Sequence, residues 1–347
     1  MNEMKDFFKY LKKVTSSNPD LNLWNAAIND ACIYPEIYRF LKNIPYIDSG
    51  FVSFDQNIKN FKFGGESKFS RNKGSIIDWV KTIDPQLIKD LNIDFLAGFE
   101  SLHKIITEAD KSHENPLHYK YSHDSPALSG KDLVVTSCDI NYFEFYAKNF
   151  CSSFFYYNDN HKLVINLIYS EMPDKVVSIV NELLVNYKNL LIIFSETSDN
   201  RKSLYANGRF LILDELFKND PNSITTVDID CIFIGKVDLF HKAMKYSTDS
   251  IGLIISPAIQ FPWYYTMAGF VYFPNSVNIK SKIKYLISLI SCLYSTNSNH
   301  NYWYSDQNAL LIFFILYEIK VTRVGIEHLR KVWNQVGASS KGLVAPK

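Results

Sequence analysis

Three features of the 347-residue sequence predict an α/β fold with a mainly parallel sheet flanked by helices. After residue 130, short apolar, β-branched runs alternate with amphipathic stretches, the signature of βαβ units with right-handed crossovers. Hydrophobic residues make up 47% of the chain, enough to cover both faces of such a sheet. Gly and Pro are few, 13 and 12, which argues against a disordered or collagen-like polymer. At ~100–200 residues per domain, the length fits two domains or one large domain with an extension. The expected division is a mainly helical region over 1–130, an α/β domain over 131–335 and a polar, aperiodic, disordered tail over 336–347.

Taken in order, Phe7, Phe8, Tyr10 and Leu11, then Leu21, Leu23, Trp24, Ala27 and Ile28, recur at helical spacing. So do Leu87, Leu91, Phe95, Phe99, Leu102, Ile105 and Ile106. Between them FKFGGESKFSRNKGS, with Gly, Ser and four basic residues, reads as a loop. The stretch EADKSHENPLHYKYSHDSPALSG reads as a linker ending near Gly130. Leu133 to Ser137 is the first strand of the alternating region, Tyr142 to Tyr157 a helix and Lys162 to Tyr169 a strand. Lys175 to Tyr187 is the next helix and Leu190 to Ser195 the next strand. In an open sheet of this kind ligands gather beyond the carboxyl ends of the strands.

Charge and motifs narrow the chemistry. Lys plus Arg number 37 against 36 Asp plus Glu, which excludes a basic nucleic-acid binder at the level of net charge. Only six residues are Arg, so any bidentate phosphate contact comes from a short list. The five cysteines are odd in number and far apart, arguing against a disulfide framework and a CxxC zinc site. The start, MNEMKDFFKYLKK, has no apolar h-region, and the longest unbroken apolar run is the nine residues Ala309 to Tyr317, well below the ~20 of a membrane span. A reduced, cytoplasmic protein is the expectation. No GxGxxG follows the first strand and no GxxxxGKS occurs, so dinucleotide oxidoreduction and P-loop phosphoryl transfer lose their main support.

The run SITTVDIDCIF places Asp228 and Asp230 two apart in a β-branched segment, which on a strand means one face. Two carboxylates on a buried face repel and cost several kcal/mol to desolvate unless a cation or donor lies between them. Mg²⁺ or Mn²⁺ suits such oxygen ligands and can bridge to a diphosphate. Alternatively the strand ends at Val227 and both aspartates face water in a turn. Upstream, Tyr205, Gly208 and Arg209 precede a helical run, Phe210 to Phe217, and a guanidinium there can orient an aspartate or cover a diphosphate.

The segments DLVVTSCDINYFEFYAKNF, SLYANGRFLILDELF, TTVDIDCIFIGKV, TMAGFVYFPNS and WYSDQNALL, in that order, resemble the GT-A-fold glycosyltransferases that use nucleotide-diphosphate sugars. The likeness is to the retaining glycogenin and lipopolysaccharide-galactosyltransferase type and covers roughly residues 131–330. It implies a GT-A-like, Rossmann-like fold and a metal-dependent transfer of sugar to a glycan, lipid-linked or protein acceptor. Thr136, Ser137 and Asp139 match the nucleoside-holding loop, with Tyr205 nearby on the donor side. Arg209 matches the basic residue near the sugar or diphosphate, and Asp228 and Asp230 the metal-binding pair.

Ala268 and Gly269 match the small-residue turn that lets a sugar approach the backbone, although Met267 stands where the family's Asn is expected. Asp306 and Gln307 match the acidic pair at a helix start that touches sugar or acceptor. His328, in GIEHLRKVWN, matches a third metal ligand but lacks the flanking Gly and Pro. Trp263 and Tyr264 offer rings for an acceptor sugar, or simply fill core. Two other readings stand beside transfer. One is a silent sugar- or nucleotide-binding scaffold of the same fold; the other is a sugar nucleotidyltransferase, which expects a Gly-rich basic loop where TSCDINYF stands. The basic loop around Lys62, Lys68, Arg71 and Lys73 is a possible docking surface for a membrane or partner enzyme.

Overall fold

The computed structural model describes residues 63–67, 93–122, 128–199, 201–244, 248–255, 266–295, 304–324, 329 and 332–335. The first expected helices, the tail, the basic loop, Trp263, Tyr264 and His328 lie outside these residues.

Strands β3 (Asp132–Asp139), β4 (Lys162–Tyr169) and β5 (Leu190–Glu196) are the apolar runs of the alternating region. In β3 and β4 six consecutive residues are buried, so both faces are covered. Two helices connect them. Helix α2 (Ile140–Tyr157) buries Phe143, Ala147, Phe150, Cys151 and Phe154, a stripe at helical spacing. Helix α3 (Asp174–Asn186) buries Val176, Ile179, Val180 and Leu183. With β6 (Ser223–Val227), β8 (Ser250–Ile255), β9 (Thr266–Pro274) and β10 (Lys320–Val324), and with the edges β1 (Phe63–Ser67) and β2 (His118–Tyr121), they form one nine-stranded sheet. Its order is β1-β10-β8-β9-β6-β3-β4-β5-β2. Pairs β3/β4, β4/β5, β3/β6 and β8/β10 are parallel, whereas β9 runs antiparallel between β6 and β8. A short ribbon of β7 (Cys231–Phe233) and β11 (Trp333–Gln335) stands apart.

Alternation along β3 feeds two cores. Leu133 and Val135 face one that also holds α1 (Ile93–Glu108), α4 (Lys202–Leu211), α5 (Leu213–Phe217), α7 (Val277–Ser291) and α8 (Ser305–Leu316). Val134 and Cys138 face the other, built on α2, α3 and α6 (Asp238–Met244). Cys138, Cys151, Cys231 and Cys292 are free thiols inside these cores.

Three expectations change. Residues 93–122 lie before the expected boundary at Gly130, yet they join this same sheet and core: β2 pairs antiparallel with β5, and Phe99, Leu102, Ile105 and Ile106 are buried against the helical layer. Phe63–Ser67, expected as loop, pairs antiparallel with β10 through an irregularity at Gly64/Glu66, and two adjacent glycines hide an edge strand from a propensity reading. The Asp-Ile-Asp run is not one strand. Strand β6 stops at Val227, Asp228 follows it, and Ile229 and Asp230 make a turn before β7. Ile229 is buried in the second core and holds that turn down, with a half-buried carboxylate on either side.

Candidate active site

Strand β3 has β4 on one side and β6 on the other, so the sheet changes its direction of winding between β3 and β6. The carboxyl ends at such a switch point open a crevice, and here they carry Asp139 and Asp228. Helix α4 packs over them because Gly208 has no side chain. A Cβ there would come within 2.4 Å of Ile168 Cδ1 and 3.2 Å of Ser137 Cβ.

Close packing of α4 delivers Arg209, one residue further on, into the crevice with 2% side-chain exposure. Its Nη1 donates to the Ala206 carbonyl at 2.7 Å and pairs with Asp228 Oδ1 at 2.9 Å. Nη2 donates to the Ala268 carbonyl at 3.1 Å and to Asp306 Oδ2 at 3.0 Å. A guanidinium presents donors in a fixed planar fork, so this arrangement sets two carboxylates and two backbone segments relative to one another.

Asp306 sits in the first turn of α8, where its Oδ1 accepts from the Gln307 backbone N–H at 2.8 Å. That turn is fastened on other sides as well. Asn207, fully buried on α4, donates to Ser305 Oγ at 2.7 Å and to the Tyr294 hydroxyl at 2.6 Å. Thr266 Oγ1 donates to the Gln307 carbonyl at 2.8 Å, and Asn308 Nδ2 reaches the Gly98 carbonyl of α1 at 2.8 Å. Tyr304, before the helix, is left-handed with φ 61°, a conformation that costs a non-glycine residue of order 1–3 kcal/mol where the surroundings impose it.

Burial pushes the Asp306 carboxyl above its ordinary value; Arg209 pulls it down and Asp228 pushes it up again. A raised carboxyl binds its proton more readily in the folded state, so its contribution to stability is present at low pH and is lost as pH rises through the raised value. Relative to Asp306→Asn, which has no such titration, the wild type is therefore expected to lose ground progressively as pH climbs from about 4. Paired thermal melts across that range check the sign.

Gly269, on β9, lies against the other carboxylate. A Cβ at Gly269 would stand 2.7 Å from Asp228 Oδ2, and the Gly269 carbonyl accepts from the Asp228 N–H at 3.4 Å. Gly269→Ala is thus expected to turn the Asp228 carboxylate out of its pair with Arg209 while leaving β9 intact. A retained far-UV dichroism spectrum with weakened ligand binding by calorimetry is the expected pair of results.

The structure brings Arg209, Asp228, Asp306 and Gly269 together directly. Asp230 and Asp139 stand around the same mouth: burial raises the Tyr142 phenol, and Asp230, Asp139 and Asp228 add repulsion in that order. Tyr146 likewise feels burial first and then Asp230. Asp139 caps α2, its Oδ1 accepting from the Tyr142 N–H at 2.7 Å. Burial raises the phenol of half-buried Tyr205, and Asp139 and Asp199 beside it add to the rise. Gln307 is next to Asp306, with its Oε1 buried and unbonded among the described residues.

Thr136 and Ser137 are placed differently from the expected nucleoside loop. Both are buried within β3, and the Ser137 hydroxyl donates to the Tyr205 carbonyl at 2.5 Å. Ala268 and Gly269 are inside β9, which begins at Thr266, rather than in a turn before it. Tyr142, Tyr146 and Asn207 were missed by sequence reasoning; the aromatic doublet in DINYFEFY one turn beyond Asp139 was the available signal for the first two. Among the described residues no three His, Cys, Asp or Glu side chains are grouped so as to hold a metal, and no helix is long and apolar enough to cross a membrane.

No family model matches the chain, and no curated protein matches it in sequence. The solved structures it is similar to include glycosyltransferases. Mouse xyloside xylosyltransferase 1, apo form, shares 10% identity over 56% of this chain and 85% of that one, with a TM-score of 0.37. The glycosyltransferase GlyE of Streptococcus pneumoniae shares 15% over 54% of this chain and 44% of its own, TM-score 0.37. The galactosyltransferase LgtC, solved with donor and acceptor sugar analogs, shares 15% over 53% and 70%, TM-score 0.38.

Proposed function

We propose that this chain is a glycosyltransferase that moves a sugar from a nucleotide-diphosphate sugar to an acceptor hydroxyl on a glycan, lipid or protein, with Mg²⁺ or Mn²⁺ as cofactor. The observation that carries the reading is the bridge of buried Arg209 to half-buried Asp228 and Asp306 at the carboxyl ends of β3 and β6. Asp228, Asp306 and two carbonyls already occupy the one guanidinium, and Asp230 adds a third carboxylate beside it. Such a set repels a diphosphate by itself and accepts one together with a divalent cation.

The residues fit that cation. Carboxylate oxygens are its hard ligands, and Mg²⁺ commonly takes one or two of them with water and substrate phosphates instead of a closed protein cage. Asp228 Oδ2 lies over a residue with room only for glycine, and Asp230 follows one turn residue later. These two would hold the ion. The chemistry it supplies when bound is neutralisation of charge developing on the leaving diphosphate.

The chain's own residues do the positioning. Arg209 fixes Asp228 and Asp306 at set distances, and the fastened first turn of α8 keeps Asp306 and Gln307 facing the site. Tyr142 and Tyr205 flank the carboxylates. Both oxygens of Asp306 already accept, one from Arg209 and one from the Gln307 N–H, which supports a sugar-lining role in a retaining transfer over that of a base taking the acceptor's proton. The test is to incubate the full chain with a panel of nucleotide-diphosphate sugars, with Mn²⁺ or with a chelator, and to follow nucleoside diphosphate release by chromatography. Metal-dependent consumption of one donor is expected; binding without turnover of any donor would identify the scaffold reading instead.

A further inference from the structure

Away from this crevice the helical layer lines a half-open pocket of about 620 Å³, within the ~300–1,000 Å³ range of small-molecule sites. It lies between the end of α1, the α4/α5 corner, α7 and Tyr317 at the end of α8. Its wall is charge-balanced. Asp110, Asp214 and Glu215 stand against Lys111, Lys218 and Lys284. Lys111 pairs with Glu108 at 2.9 Å and Lys218 with Glu215 at 2.8 Å. Lys284 stands over the Tyr285 ring at 5.1 Å, and with three carboxylates against three ammonium groups a charged ligand meets as much like charge as opposite charge on this wall.

Aromatic surface completes the wall. Tyr285 and Tyr317 stack with centroids 4.4 Å apart and planes 10° apart, and Tyr285 remains 38% exposed. Flat apolar rings beside a dense set of donors and acceptors, with no net charge to satisfy, match a ligand with apolar C–H faces and many neutral hydroxyls. We propose that this pocket binds a neutral oligosaccharide, as a site separate from the proposed catalytic crevice. Its recognition chemistry stands whether or not the chain transfers sugar. Helix α8 links the two places, with Asp306 in its first turn and Tyr317 just past its last, roughly 16 Å apart along the helix axis.

The test uses the full chain and saturation-transfer NMR with titration against malto-, cello- and chito-tetraose, with tetragalacturonate as a charged analogue. At least one neutral tetrasaccharide is expected to bind. Tyr285→Ala, at a position exposed enough to leave the fold intact, is expected to weaken it about tenfold, the effect of losing one good aromatic contact. Asp230→Asn is expected to leave this binding unchanged, and Tyr285→Ala to leave nucleoside diphosphate binding unchanged, which separates failure here from failure of the transfer reading. The proposal is overturned if no neutral probe binds at concentrations on the order of 10 mM. It also falls if Tyr285→Ala binds as the wild type does, if tetragalacturonate binds more tightly, or if Asp230→Asn abolishes binding.

Discussion

Arg209→Met is expected to destabilise the protein by about 3–5 kcal/mol, because it leaves Asp228 and Asp306 facing each other with the buried cation between them removed. For a unit of this size that is a fall in Tm of roughly 6–20 °C, read by differential scanning calorimetry. The same loss is expected to be partly reversed when Asp306→Asn is added, since the penalty comes from unpaired buried charge and not from lost volume. A single Arg209→Met variant that melts with the wild type would mean that the bridge does not hold the crevice together.

Asp230→Asn is expected to act in the opposite register. The substitution keeps size and shape at a half-buried turn position, so the melting temperature should stay close to that of the wild type. Turnover of the donor should fall by about 10²–10³, the usual effect of removing one group that stabilises transition-state charge. Steady-state kinetics at saturating donor separate this from weakened binding: a loss confined to KM would move Asp230 from the reacting diphosphate to its periphery.

What could be read from the chain followed from how local the signal was. The β3–α2–β4–α3–β5 succession is written in runs of consecutive apolar residues and in one-sided helical stripes, and the elements lie within one or two residues of where those patterns place them. Strands β1 and β2 carry no such runs. Each gains its place by pairing with a distant partner, β10 and β5, which no window of sequence displays. Asp228 and Asp230 were visible as an anomaly in an apolar segment, but their shared strand face was not real, because β6 ends where its pairing with β3 and β9 ends.

Arg209 stood out by scarcity alone. Its partners Asp228 and Asp306 come from other elements, the second of them 97 residues away, so the bridge exists only once α4 has packed onto β3 through Gly208. Thr136 and Ser137 mislead for a related reason. Polar residues near a strand's carboxyl end suggest a ligand loop, yet this strand runs on to Asp139 and its last inward hydroxyl is spent on the backbone of α4.

In the proposed function the Asp228/Asp230 turn, set by Arg209, receives a nucleoside diphosphate through a divalent cation. Thermal unfolding of the full chain with a panel of nucleoside diphosphates, each with Mn²⁺ and with a chelator, tests it most directly. At a ligand concentration about a hundredfold above Kd, stabilisation of about 2.7 kcal/mol is expected for at least one nucleotide, only with metal, and lost in Asp230→Asn. Stabilisation by no nucleotide, or a metal-dependent shift that Asp230→Asn leaves in place, would contradict it.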